Sequence, residues 1–190
     1  MLVFGRDADS VVRVTHDDDP AVLRRALDQL TGLLDDVRSD ALGGRTPCAA
    51  WTVQDLVDHV VVAPAKFARM VRGESIDWSA PTPSAGNDPA GAFRSKAEDL
   101  LRAWRDHEGP PGPAGLDWQC AELAVHTWDL ATALDRFTGD LDPEVAERGL
   151  ALMRANLTLD NRSPAFEPEQ PAPEGADAYQ RIAAFAGRSV

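Results

Sequence analysis

The sequence predicts an all-α protein, a helix bundle, and three observations carry that prediction. Asp-Pro occurs at 19–20, 88–89 and 142–143, each a side-chain acceptor followed by proline at a position where a helix can begin. Leu23, Leu27, Leu30 and Leu34 recur at steps of four and three residues, which gathers them on one helical face. No stretch alternates apolar and polar residues convincingly beyond a short VVRV at 11–14.

The elements follow in order. Residues 1–18 read as a loose arm. A first helix is expected over roughly 20–40, with Leu23, Leu27, Leu30, Leu34 and Val37 facing a core and Gly43-Gly44 as the stop. A second is expected over roughly 52–72. In TPCAAWTVQDL, Thr52 can cap while Asp55 reaches back from the third position, and Trp51 and Leu56 fall at the hydrophobic-staple positions. Gly73 ends this helix, and residues 74–87 form a Pro/Ser/Gly linker. A third helix, 89–107, offers Phe93, Ala97, Leu100 and Trp104 and stops at Gly109. A fourth, 117–137, is expected to start on an Asp117 cap and end before Gly139, with Ala121, Val125, Trp128 and Leu134 inward. A fifth spans 143–156. Residues 161–176 hold four prolines and are expected to lie extended over the surface. The architecture implied is an antiparallel bundle with a longer crossover between the second and third helices. The whole chain, 1–190, reads as one domain, with 161–190 as a Pro-rich tail and terminal segment.

Composition narrows the function. A net charge of −12 disfavours nucleic acid and anionic membrane surfaces, both of which reward basic patches. No apolar run approaches the ~20 residues that span a bilayer, and MLVFGRDADS lacks the apolar segment of a secretory signal. Two cysteines are too few for a disulfide framework, so a reducing cytoplasm is the expected location. Cys48 reads as a small turn residue and Cys120 as core.

The polar residues inside the helices carry the chemistry. His16 lies in an HDDD run, as on a solvated arm, and His107 ends a helix, where its charge suits the dipole. His59 and His126 are different, because each sits in an apolar helical stretch, LVDHVVV and LAVHTWDL. Either can be a core histidine with one satisfied hydrogen bond. Together with Glu122, one turn before His126, they also form a three-ligand set for a metal ion. Residues four apart on a helix lie about 5–6 Å apart at Cβ and can converge on one ion. A dication would also offset the cost of burying the Glu122 carboxylate. Glu-x-x-x-His is common as a surface pair, so spacing alone leaves both readings open. Asp129 can orient a ligand imidazole or be a surface acid; for Asp55 the capping role is preferred.

RTPCAAWTVQDLVDHVV (45–61) and AELAVHTWDLATAL (121–134) resemble the mycothiol-dependent maleylpyruvate isomerase N-terminal type, within the DinB-like superfamily. The resemblance covers roughly residues 20–160. It implies a DinB-like four-helix bundle, here with an additional C-terminal helix and an extended Pro-rich tail. It also implies a divalent metal held by His59, Glu122 and His126, zinc before nickel or another ion. The isomerase's C-terminal α/β domain has no counterpart in the proline-rich ending NRSPAFEPEQPAPEGADAYQRIAAFAGR, which is similar to the ending of short actinobacterial members.

The function this implies is a metalloenzyme that joins a low-molecular-weight thiol such as mycothiol to a small electrophile, by transfer, conjugation or isomerisation. Trp51, Trp128 and Phe67 are candidate pocket walls, with core packing preferred for each. A metal-dependent hydrolase and a non-catalytic binding or sensor protein are the alternatives. The expected partner is a small molecule, with mycothiol as a co-substrate. Bundles of this type often pair, so a homodimer is expected.

Overall fold

The computed structural model describes residues 20–108, 115–162 and 166–190. The loose arm, His16, the VVRV stretch, the Asp19 cap and Gly109 fall outside them. Six helices occur among the described residues: α1 (Pro20–Asp35), α2 (Val53–Val71), α3 (Pro89–Arg105), α4 (Leu116–Ala133), α5 (Pro143–Asn156) and α6 (Ala178–Phe185). The all-α bundle is as expected. Outside the helices, the described backbone makes one isolated bridge, Arg45 to Thr52.

Burial explains the arrangement. Leu23, Leu27, Leu30 and Leu34 are all buried, so the stripe that predicted α1 is its core face. α1 packs on α3 and α4, α2 chiefly on α3, α5 on α4, and α6 on α5 and α4. That places α4 at the centre, and every residue from Leu116 to Ala131 is buried. No helix of the described residues is long and apolar enough to cross a membrane.

Two helix ends differ from expectation. α1 stops at Asp35, because Asp36 and Val37 donate to Leu33 and Leu34, one residue tighter than the α pattern. Asp35 and Asp36 also oppose the negative end of the helix dipole. α4 stops at Ala133, where Asp135 adopts φ of +55° and the Arg136 amide donates to Ala131. A short polar side chain tolerates that left-handed conformation, so no glycine is needed there.

The start of α2 is over-determined. Val53 and Gln54 donate their amides to the Gly44 and Leu42 carbonyls, at 3.0 and 2.9 Å. The Asp55 amide donates to Thr52 Oγ1, and the Thr52 amide donates back to the Asp55 carboxylate at 2.9 Å. The expected capping box is present, and the orphan donors of the first turn are satisfied. Pro64 sits inside α2 without ending it.

α4 starts differently from expectation. Its N-cap is Gly115, and Asp117 is not the cap. Asp117 instead accepts from Arg148 Nε of α5 at 2.6 Å, with both side chains buried. A nearby guanidinium offers a buried carboxylate more than a backbone amide can.

Residues 166–177 are irregular, and α6 follows them, a helix the sequence reading did not anticipate. Asp177 and Gln180 make a second capping box. Tyr179 and Ile182 are 1% and 0% exposed, so this one short helix closes the bundle. Arg162 ties the tail down, donating to the Phe185 and Glu167 carbonyls with its guanidinium 4.4 Å from the Phe185 ring.

Gly149 of α5 lies against the α4 backbone. A Cβ there would sit 2.6 Å from Ala121 Cα. A Gly149→Val variant is therefore expected to lose about 1–3 kcal/mol of unfolding free energy in urea titration, by overpacking. Cys120 is fully buried, and burial pushes its thiol up to about 12. In native protein at pH 8 it should resist a thiol-modifying reagent and react only after denaturant is added.

Candidate metal centre

α2 and α4 each deliver part of the site. The capping box fixes where α2 begins, and His59 follows two turns later on the face turned to α4. α4 carries Glu122, His126 and Asp129 at steps of four and three, on one face. The facing helices bring His59 Nε2 to 2.9 Å from Glu122 Oε1. His126 Nε2 lies 3.6 Å from the same oxygen. One donor atom from each of the three residues lies within 4.8 Å of the others. Glu122 and His126 are 4% and 5% exposed, and His59 is partly buried. The three residues named from the sequence thus meet at one point.

The donor set fits a divalent cation. A tetrahedral ion with bonds of about 2.1 Å spaces its donors about 3.4 Å apart. The two histidine–glutamate separations, 2.9 and 3.6 Å, bracket that spacing. Burial pushes the Glu122 pKa up, but hydrogen bonds from His126 and His59 and the nearby His126 charge oppose it, and its pKa lies well below the usual carboxylate range. An ionised, buried carboxylate between two imidazole nitrogens is a cation-favouring arrangement. Burial lowers the His59 pKa, outweighing its bond to Glu122. Burial works against the charged form of His126 too, yet its bonds to Asp129 and Glu122 raise its pKa overall.

Asp129 is no surface acid. It is 0% exposed and lies 3.1 Å from His126 Nδ1. Burial would raise its pKa, but hydrogen bonds from His126 and Arg188 lower it, so it stays ionised and can only accept. His126 Nδ1 therefore donates to Asp129, and Nε2, the nitrogen turned toward Glu122, is the one that would hold an ion. Arg188 grips the far side of the carboxylate, with Nε 3.1 Å from Oδ1 and Nη2 3.0 Å from Oδ2.

Trp51 roofs the imidazoles, its ring centroid 4.7 Å from that of His59 and 5.7 Å from that of His126. An open cleft beside it is lined by Trp51, Asp55, Asp58, His59 and Thr82. The two acids in the cleft are already engaged. Asp55 serves the cap, and Asp58 accepts from Gln54 and from the Ala85 amide of the linker. Of the other candidate walls, Phe67 packs edge-on against Trp118 in the core, and Trp128 is buried in the same core.

Sequence reasoning missed Arg188, Asp58 and Thr82. Asp58 and Thr82 gave no periodic or motif signal. Arg188, a cation directly after the apolar run IAAFAG, was the one visible clue.

Over residues 23–131 the sequence matches the family model of the mycothiol maleylpyruvate isomerase N-terminal domain. Two uncharacterised proteins of Mycobacterium tuberculosis, from strains CDC 1551 / Oshkosh and ATCC 25618 / H37Rv, are each 32% identical over 183 residues. Those alignments cover 88% of this chain and 96% of each relative. No solved structure gives a significant match.

Proposed function

The chain belongs to the family of the mycothiol maleylpyruvate isomerase N-terminal domain, and on that premise we propose that it is a metal-dependent thiol enzyme. Its substrates would be a low-molecular-weight thiol of the mycothiol class and a small electrophile. The observation that carries the reading is the convergence of His59, Glu122 and His126 at one point beside an open cleft. Those three residues would hold the ion, and the mixed nitrogen and oxygen donors suit zinc, with nickel as an alternative. A dication held there favours the thiolate form of a bound thiol.

The chain's own residues do the rest. Glu122 supplies the one anionic donor. Asp129 fixes the His126 ring by accepting from Nδ1. Trp51 shields both imidazoles and limits water on that side. The cleft offers an approach for the thiol and its acceptor. In the net reaction the sulfur bonds to the electrophilic carbon as either a π bond to that carbon or its bond to a leaving group breaks, and the thiol proton ends on the neighbouring atom of the opened π bond or with the departing group. A hydrolase would need a free base beside the open position, and among the described residues of the cleft both acids, Asp55 and Asp58, are already engaged.

The test has two parts. Protein purified without chelator is analysed for metal content. The zinc-loaded form is then assayed for consumption of mycothiol against a panel of electrophiles, with and without prior chelation. Metal-dependent loss of thiol is the expected result. Bound metal without thiol turnover would point to a binding or sensor protein, and absence of metal would remove the reading altogether.

A further inference from the structure

We propose that Arg188 is a positioning residue for the metal site, acting on His126 through Asp129. The inference rests on the metal reading above and concerns a segment 57 residues beyond the last residue matched to the family model.

The geometry carries it. Arg188 is 8% exposed although only two residues follow it in the sequence. Its guanidinium meets both oxygens of Asp129, while Nη1 donates to the Ala186 carbonyl at 3.2 Å. A two-point grip fixes the plane of a carboxylate, which a single contact leaves free to turn. The Oδ2 atom gripped by Nη2 is the one that accepts from His126 Nδ1. Arg188 therefore fixes the position of the Oδ2 atom to which His126 Nδ1 is tied, and that tether holds Nε2 toward the point shared with Glu122 and His59. The guanidinium also balances the charge of Asp129, which burial would otherwise penalise. Arg188 is held in turn by the docking of α6: the Arg188 amide donates to Ala183 at 2.9 Å, and Gly187 takes φ of +88° where a Cβ would strike the Glu167 backbone. The turn after α6 thus helps to place a ligand 62 residues earlier.

The experiment is a zinc titration against a chromophoric chelator, with Co²⁺ visible absorption as the second readout. It compares wild type with Arg188→Met, Arg188→Lys, Arg162→Met and His126→Ala, each first checked for helical content. Arg188→Met is expected to weaken zinc binding about 10- to 100-fold, the range for losing a partner that orients a ligand. Its Co²⁺ bands should shift in position or intensity. Arg188→Lys keeps the charge but loses the two-point grip, so an intermediate loss is expected. It also replaces the methionine variant should that one fail to fold. Arg162→Met removes another buried tail guanidinium, one that does not touch Asp129, and should leave the Co²⁺ spectrum unchanged. Wild-type affinity and spectrum in Arg188→Lys, or an equal change in Arg162→Met, would overturn the proposal. If instead the wild type binds no zinc, or His126→Ala binds it as well as the wild type, the metal reading itself fails.

Discussion

Under the proposed metal reading, Glu122→Gln protein is expected to come off the column metal-free while the wild type carries metal. The substitution keeps the shape of the side chain and removes the one anionic donor among the three. Partners that merely orient ligands are worth 10- to 100-fold in affinity, so a ligand that also supplies the charge should cost at least about 100-fold. The same change is readable in stability. A ligand present at 100 times its dissociation constant stabilises the folded state by about 2.7 kcal/mol. Added zinc should therefore raise the melting temperature of the wild type and leave that of Glu122→Gln where it was. A Glu122→Gln variant with full metal occupancy and an undiminished thermal response would remove Glu122 from the site.

Arg148→Met is expected to give the largest loss of stability. Arg148 and Asp117 meet at 2.6 Å between α5 and α4, with side chains 5% and 11% exposed. Removing the cation takes away the guanidinium that faces the Asp117 carboxylate in a place water scarcely reaches, and breaking a buried ion pair runs to about 3–5 kcal/mol. Total stabilities are only about 5–15 kcal/mol, so the shift in urea midpoint should be plain. Replacing Asp117 by leucine in the same chain should recover part of the loss, because an apolar pair carries no buried charge. A single-variant loss below about 1 kcal/mol would place this pair with ordinary surface ion pairs.

The helices were largely legible in the sequence because their signals are local. A proline after a capping acid or a leucine every three or four residues acts within one turn, and α1, α3 and α5 began where those signals lay. The capping box of α2 was readable for the same reason. Asp117 misled because its partner, Arg148, is distant in sequence, and a carboxylate near a helix start looks like a cap from either side. α6 was missed because the surrounding prolines dominate the reading, although Asp177 and Gln180 carry a cap signal of their own. For the site, the spacing of Glu122 and His126 put two donors on one face. Only packing could bring His59 to them. The burial of Asp129 and its grip by Arg188 depend on the docked tail, which no periodicity encodes.

The closeness of Gly149 to Ala121 has a reach beyond stability. Ala121 immediately precedes Glu122, so the bare backbone of α5 acts as a stop against which the acid-bearing turn of α4 is seated. A larger residue at 149 would prise the two rods apart at that turn and displace the carboxylate relative to His59, which rides on a different rod. Position 149 is in this sense a remote adjustment screw for the pocket, reachable by mutagenesis without altering any atom that faces it.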